Sequence, residues 1–229
     1  MAYAFDKHVD TGALNMGTSA SLIVPAGGVA VGNLVCVRTC MADAGTVSVS
    51  DTQGNTYTAL SSQTVQGGVA VRNFVSKLGV ALVSGNTITV SSSVKTSGPI
   101  AADAWSGDDS ATPVAQNEGQ GTSATATSGS ATPTVTGQLA LGLLGYGSAG
   151  DGTNDSDTVD GTWVELTRTS FSSQSVDGAY KIVTGVSAQT YDFTLPAGPP
   201  PWVCEIAVFS EAITELPRVS PYRQLLGHQ

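Results

Sequence analysis

A nucleophilic hydrolase needs a base held beside its Ser or Cys, most often a histidine. This 229-residue chain has two, His8 and His228, one near each end, where no packed sheet would hold a ring in fixed geometry. Paired carboxylates are the other chemistry open to it. A glycosidase sets two of them about 5 to 9 Å apart across a cleft, and Asp103, Glu165, Asp192 and Glu205 qualify by type, while Asp108, Asp109 and Asp177 stand in turn-like surroundings. Local sequence does not say which acids meet. The expectation is a protein without enzymatic activity and without a cofactor.

The loop Gly145 to Gly161 carries Asp151, Asp155, Asp157 and Asp160, which makes it a weak candidate for calcium. Calcium takes carboxylate and backbone oxygens, but the spacing lacks the central Gly and closing Glu of an EF-hand loop. Side-chain-capped turns account for the same residues, so no metal is expected. Gly142, Gly145, Gly147 and Gly150 follow a strand-like run, yet no Lys follows them as a phosphate loop requires. Sugar-binding sandwiches present aromatic faces, and Trp163 and Tyr146 are the candidates for glycan contact, with Tyr57 and Trp202 beside them by type. Against this, a chain with three tryptophans has a core to spend them on. Cys36 and Cys40, four apart on a strand, would stand roughly 13 Å from each other. With Cys204 they are expected as buried free thiols, a Cys36 to Cys204 bridge needing neighbouring strands.

These residues must be positioned by strands. Leu34, Val35, Val37 and Met41 form a dense apolar run, Val47 and Val49 alternate with Ser48 and Ser50, and Gly54-Asn55 supplies a turn. About a hundred residues later Gly137 to Leu144 answers the first run, Gly161 to Leu166 answers Asn55 to Leu60, Val176 to Tyr180 answers Val69 to Phe74, Thr190 to Leu195 answers Asn86 to Val90, and Trp202 to Phe209 answers Pro99 to Trp105. The chain is expected to be all-β: a jelly-roll-like antiparallel β-sandwich of about eight principal strands from two similar halves, closing over one shared interior. Residues 1–18 would be an N-terminal arm or edge strand, 19–211 the sandwich, and 212–229 an extended C-terminal arm. Residues 110–133 have almost no large apolar side chain and are expected to cross between the halves without contributing core.

The net charge of −9 argues against sequence-independent nucleic-acid binding, which needs clustered Lys and Arg. No run of about twenty apolar residues suggests a membrane span, and no signal peptide is expected. Residues 216–229 hold Arg218 and Arg223 and no acid, a charge of +2 that leaves −11 for residues 1–215. Arg218, Tyr222, Arg223, Leu225 and Leu226 therefore suit an arm that docks on a neighbouring subunit.

Gly32-Asn-Leu-Val-Cys-Val37, then Ser50-Asp51 with Gly54-Asn55 and Tyr57, and later Ala102 with Ser106-Gly107 resemble jelly-roll modules of tailed-bacteriophage virion proteins, of the minor tail or capsid decoration type. The likeness spans about residues 20 to 210. It implies a non-enzymatic structural component made in the host cytoplasm and carried in the virion, with phage capsid or tail proteins as partners. A homo-oligomer is implied, a trimer first. The competing implication is a carbohydrate-binding adhesion module that recognises a glycan of the host cell envelope.

Overall fold

The computed structural model describes residues 3–42, 45–61, 64–107, 110–196, 198 and 200–210. Among these there are sixteen strands and no helix. They are β1 (Ala4–Ile23), β2 (Leu34–Met41), β3 (Val47–Asp51), β4 (Thr58–Ala59), β5 (Thr64–Gln66), β6 (Val69–Val71), β7 (Phe74–Lys77) and β8 (Thr87–Ser106) in the first half. The second half holds β9 (Ala115–Gly121), β10 (Thr125–Thr127), β11 (Leu139–Tyr146), β12 (Val164–Glu165), β13 (Thr169–Phe171), β14 (Gln174–Ile182), β15 (Asp192–Thr194) and β16 (Trp202–Phe209). Every pairing is antiparallel.

The internal repeat is visible in the pairing. The first sheet runs β4-β7-β2-β8-β1, with β6 and β5 continuing beyond β2, and the second runs β12-β14-β11-β16-β9. Strands β2 and β11, the two matched apolar runs, sit centrally in their sheets, and all eight residues of each are buried. A strand covered on both faces needs a continuous apolar run and not an alternation. On β2, Val35, Val37 and Met41 point into a core of the first half with Leu22, Ile88, Val90 and Ile100. Leu34 and Cys36 point the other way and meet Leu139, Leu141, Leu143 and Phe209 across a seam between the halves. On β11, Ala140, Leu144 and Tyr146 turn back into a second-half core with Tyr191, Phe193 and Trp202.

One shared interior was expected, and the structure adds a further core on the outer face of each principal sheet. In the first half, long strands supply the extra layer. The last part of β8 pairs with β2 and its first part with β3, while β1 follows it along nearly its whole length, with register shifts between Leu14 and Ser19. Shifts of this kind bend a ribbon. The ribbon folds over so closely that a Cβ on Gly12 would stand 3.2 Å from the Leu22 side chain. Residues 4–18 thus belong to β1, which among the described residues pairs with β8 alone.

In the second half the covering layer is the pair β10-β15. Here the expectation for residues 110–133 fails, because they supply β9 and β10, and Ala126 and Ala131 are core. Their smallness reflects close approach and not idleness: a Cβ on Gly121 would lie 2.8 Å from the ring of Trp202. Residues 212–229, the expected C-terminal arm, lie outside the described residues.

Candidate functional site

At one end of the second sheet lies a cleft of about 450 Å³ lined by Asp151, Gly152, Glu165, Leu166, Arg168, Ser170, Asp177 and Phe193. Asp177 comes from β14, Glu165 from β12, Ser170 from β13, Phe193 from β15, and Asp151 and Gly152 from the loop after β11. Glu165 stands opposite Ala179, two residues along β14 from Asp177. Side chains two apart on a strand share a face, so the two carboxylates are diagonal neighbours. The loop can close on the cleft because residue 152 is glycine: a Cβ there would drive into the Phe193 ring.

Arg168 is the hub. Its Nη2 donates to the carbonyls of Ala149 and Gly150 at 2.6 and 2.8 Å and to Ser170 Oγ at 2.9 Å. Its Nη1 pairs with the Asp151 carboxylate. Its Nε has no hydrogen-bond partner and stands 4.0 Å from Asp177 Oδ2. The side chain of Asp177 is only 9% exposed, and its Oδ1 accepts the Gly178 N–H at 2.8 Å. Burial pushes the Asp177 carboxyl up to about 6, against the Gly178 N–H and the cations Arg38 and Arg168, with Glu165 adding to the rise. The floor of the cleft is therefore a carboxylate at neutral pH that takes up a proton in mild acid.

A second polar group locks the seam. Arg38 on β2 donates from Nε and Nη2 to Asp103 Oδ2 on β8 at 3.1 and 2.7 Å, and from Nη2 to the Thr167 carbonyl of the other half at 2.9 Å. His8 Nδ1 lies 2.7 Å from the other Asp103 oxygen. Asp103 is thus part of a buried ion pair and is removed from the cleft. Glu205 on β16 is also buried at the seam, where Asn73 Nδ2 donates to it at 3.0 Å. Of the acids singled out by type, only Glu165 and Asp177 share the cleft; Asp108 and Asp109 lie outside the described residues.

The remaining sequence candidates are placed as follows. Trp163 and Tyr146, the aromatics offered for glycan contact, are buried and present no open ring face. Trp163 packs 5.0 Å from Tyr191 with the Lys181 ammonium 4.5 Å from its ring, and Tyr146 donates its hydroxyl to the Gly150 carbonyl. These rings were needed as filling for the second-half core. Of the loop aspartates, Asp151 is taken by Arg168, Asp155 accepts from the N–H groups of Asp157 and Asp192, Asp157 accepts from Val159, and Asp160 accepts from Ser187. No group of three or more His, Cys, Asp or Glu among the described residues could hold a metal ion. Cys36, Cys40 and Cys204 are free and buried, and burial raises all three thiols well above their ordinary range. The docking residues Arg218, Tyr222, Arg223, Leu225 and Leu226 lie outside the described residues.

Sequence reasoning passed over Arg168, Ser170 and Arg38. A lone Arg inside Val35-Cys-Val-Arg-Thr-Cys40, and a lone Asp inside Ala101-Ala-Asp-Ala-Trp105, were the available signal for the seam pair, since buried charges require partners. Nothing local marks Arg168. Fold and cleft together define an all-β protein of two similar antiparallel halves with a small polar site on the second. Comparison with protein-family models, curated proteins and solved structures finds no match for the chain.

Proposed function

We propose that this protein is a non-enzymatic structural component of a bacteriophage virion, decorating the capsid or forming part of the tail. In this reading its two-half body is a jelly-roll-type module, assembled in the host cytoplasm and docked on neighbouring subunits, a trimer first, through its C-terminal segment. The observation that carries it is a contrast within the chain. The central strands of the body are fully covered: β2, β11 and β16 have no exposed residue, and residues 1–215 carry −11. The segment from Leu216 to Gln229 is cationic at +2 and studded with Tyr222, Leu225 and Leu226. Opposite charge steers two such surfaces together, and buried apolar side chains then hold them. Deleting residues 214–229 and following sedimentation against concentration tests this. The full chain should associate and the truncated chain should remain a monomer; assembly that survives the deletion refutes it.

A further inference from the structure

We propose that the cleft between β12, β13 and the loop at residues 147–153 is a binding site for a sugar, recognised through a hydroxyl held between Arg168 and Asp177. Arg168 Nε and Asp177 Oδ2 face each other at 4.0 Å, beyond hydrogen-bond reach. Arg168 Nε is buried without a hydrogen-bond partner, and the Asp177 side chain is more than nine-tenths buried, with its Oδ1 held by the Gly178 N–H. One is a donor and the other an acceptor. A hydroxyl oxygen placed about 2.8 to 3.0 Å from both accepts from the guanidinium and donates to the carboxylate, giving the unpaired Arg168 N–H its partner.

The pair is held ready for this. The other two guanidinium nitrogens are fixed by the Ala149 and Gly150 carbonyls, Ser170 and Asp151, so the direction of the free N–H is set before anything binds. Glu165, exposed at the rim on the same face, offers further acceptors to a neighbouring hydroxyl. Leu166 and Phe193 give the cleft its apolar wall, suited to the C–H face of a ring, and about 450 Å³ lies within the usual range for small-molecule sites. Other ligand classes fit less well. Three carboxylates repel an anion, and a cation has no acceptor to offer the unpaired Arg168 N–H, which leaves a neutral hydroxylated ligand. The assignment stands apart from the virion reading and uses neither Trp163 nor Tyr146.

Saturation-transfer NMR on the full chain tests it, using D-glucose, D-galactose, N-acetylglucosamine and L-rhamnose, with ribitol as the open-chain comparison. At least one ring sugar should bind saturably with a dissociation constant of about 1 mM or below. Asp177→Asn and Arg168→Gln should each weaken it at least tenfold, and Glu165→Gln, at an exposed position that leaves folding intact, several-fold. Melting curves of each variant separate lost binding from lost fold. Absence of saturable binding for all four sugars overturns the proposal, as does binding that survives all three substitutions, or ribitol binding as tightly as the best ring sugar.

Discussion

Replacing Glu205 by Gln keeps the shape of a buried side chain and removes its charge, and the structure gives the size and sign of the effect. Glu205 is 2% exposed, stands directly across the ladder from Glu118, and has one oxygen without a partner. Burial, with Glu118 adding to it, pushes its carboxyl from 4.5 up to about 7, against the Asn73 and Ser61 hydrogen bonds that pull the other way. A group whose native value is raised holds a proton that the unfolded chain has lost, so its cost grows as pH rises from about 4.5 and is complete above about 7. At about 1.4 kcal/mol for each factor of ten in the ionisation constant, this amounts to roughly 3 kcal/mol. Glu205→Gln should therefore match the wild type in urea unfolding near pH 4 and exceed it by up to about 3 kcal/mol near pH 8. Asp177 titrates in the same direction in both proteins, so the difference between them isolates Glu205. Two stability curves that stay parallel from pH 4 to 8 would refute the reasoning.

Three further outcomes are expected. Asp103→Ala leaves the Arg38 guanidinium buried with its Asp103 partner gone and should cost about 3 to 5 kcal/mol, measured as a lower melting temperature and urea midpoint. Gly142→Ala places a Cβ 2.5 Å from two ring atoms of Tyr191 and should destabilise by about 1 to 3 kcal/mol or more, since that aromatic has no room to withdraw. The thiols of Cys36, Cys40 and Cys204 should ignore a thiol reagent in the native protein and react together once it is unfolded; stoichiometric labelling of the native state would contradict their burial.

The apolar runs at Leu34–Met41 and Leu139–Tyr146 were legible because a strand covered on both faces needs uninterrupted side chains, and the repeat spacing placed both at the centre of a sheet. The all-β antiparallel architecture followed from the same pattern. Residues 110–133 misled because composition reports how much a side chain buries and not how closely backbones approach. Gly121 under Trp202 is core by virtue of its smallness. The cleft was illegible for a different reason: Glu165 and Asp177 meet only through the β12-β14 register, and Arg168 is aimed by backbone carbonyls eighteen and nineteen residues away. Trp163 and Tyr146 were good sugar-binding types, but the extra β10-β15 layer that covers them has no sign in their own segments.

The seam joining Leu34, Cys36 and Trp105 to Leu139, Leu141 and Phe209 has the make-up of a subunit interface carried inside one polypeptide. Two separate chains meeting through such a face would part on dilution, whereas here the connecting segment holds each half at a fixed effective concentration beside its twin. Their union is consequently indifferent to how scarce the protein is, and a half drawn away from its twin would expose a broad greasy face to water.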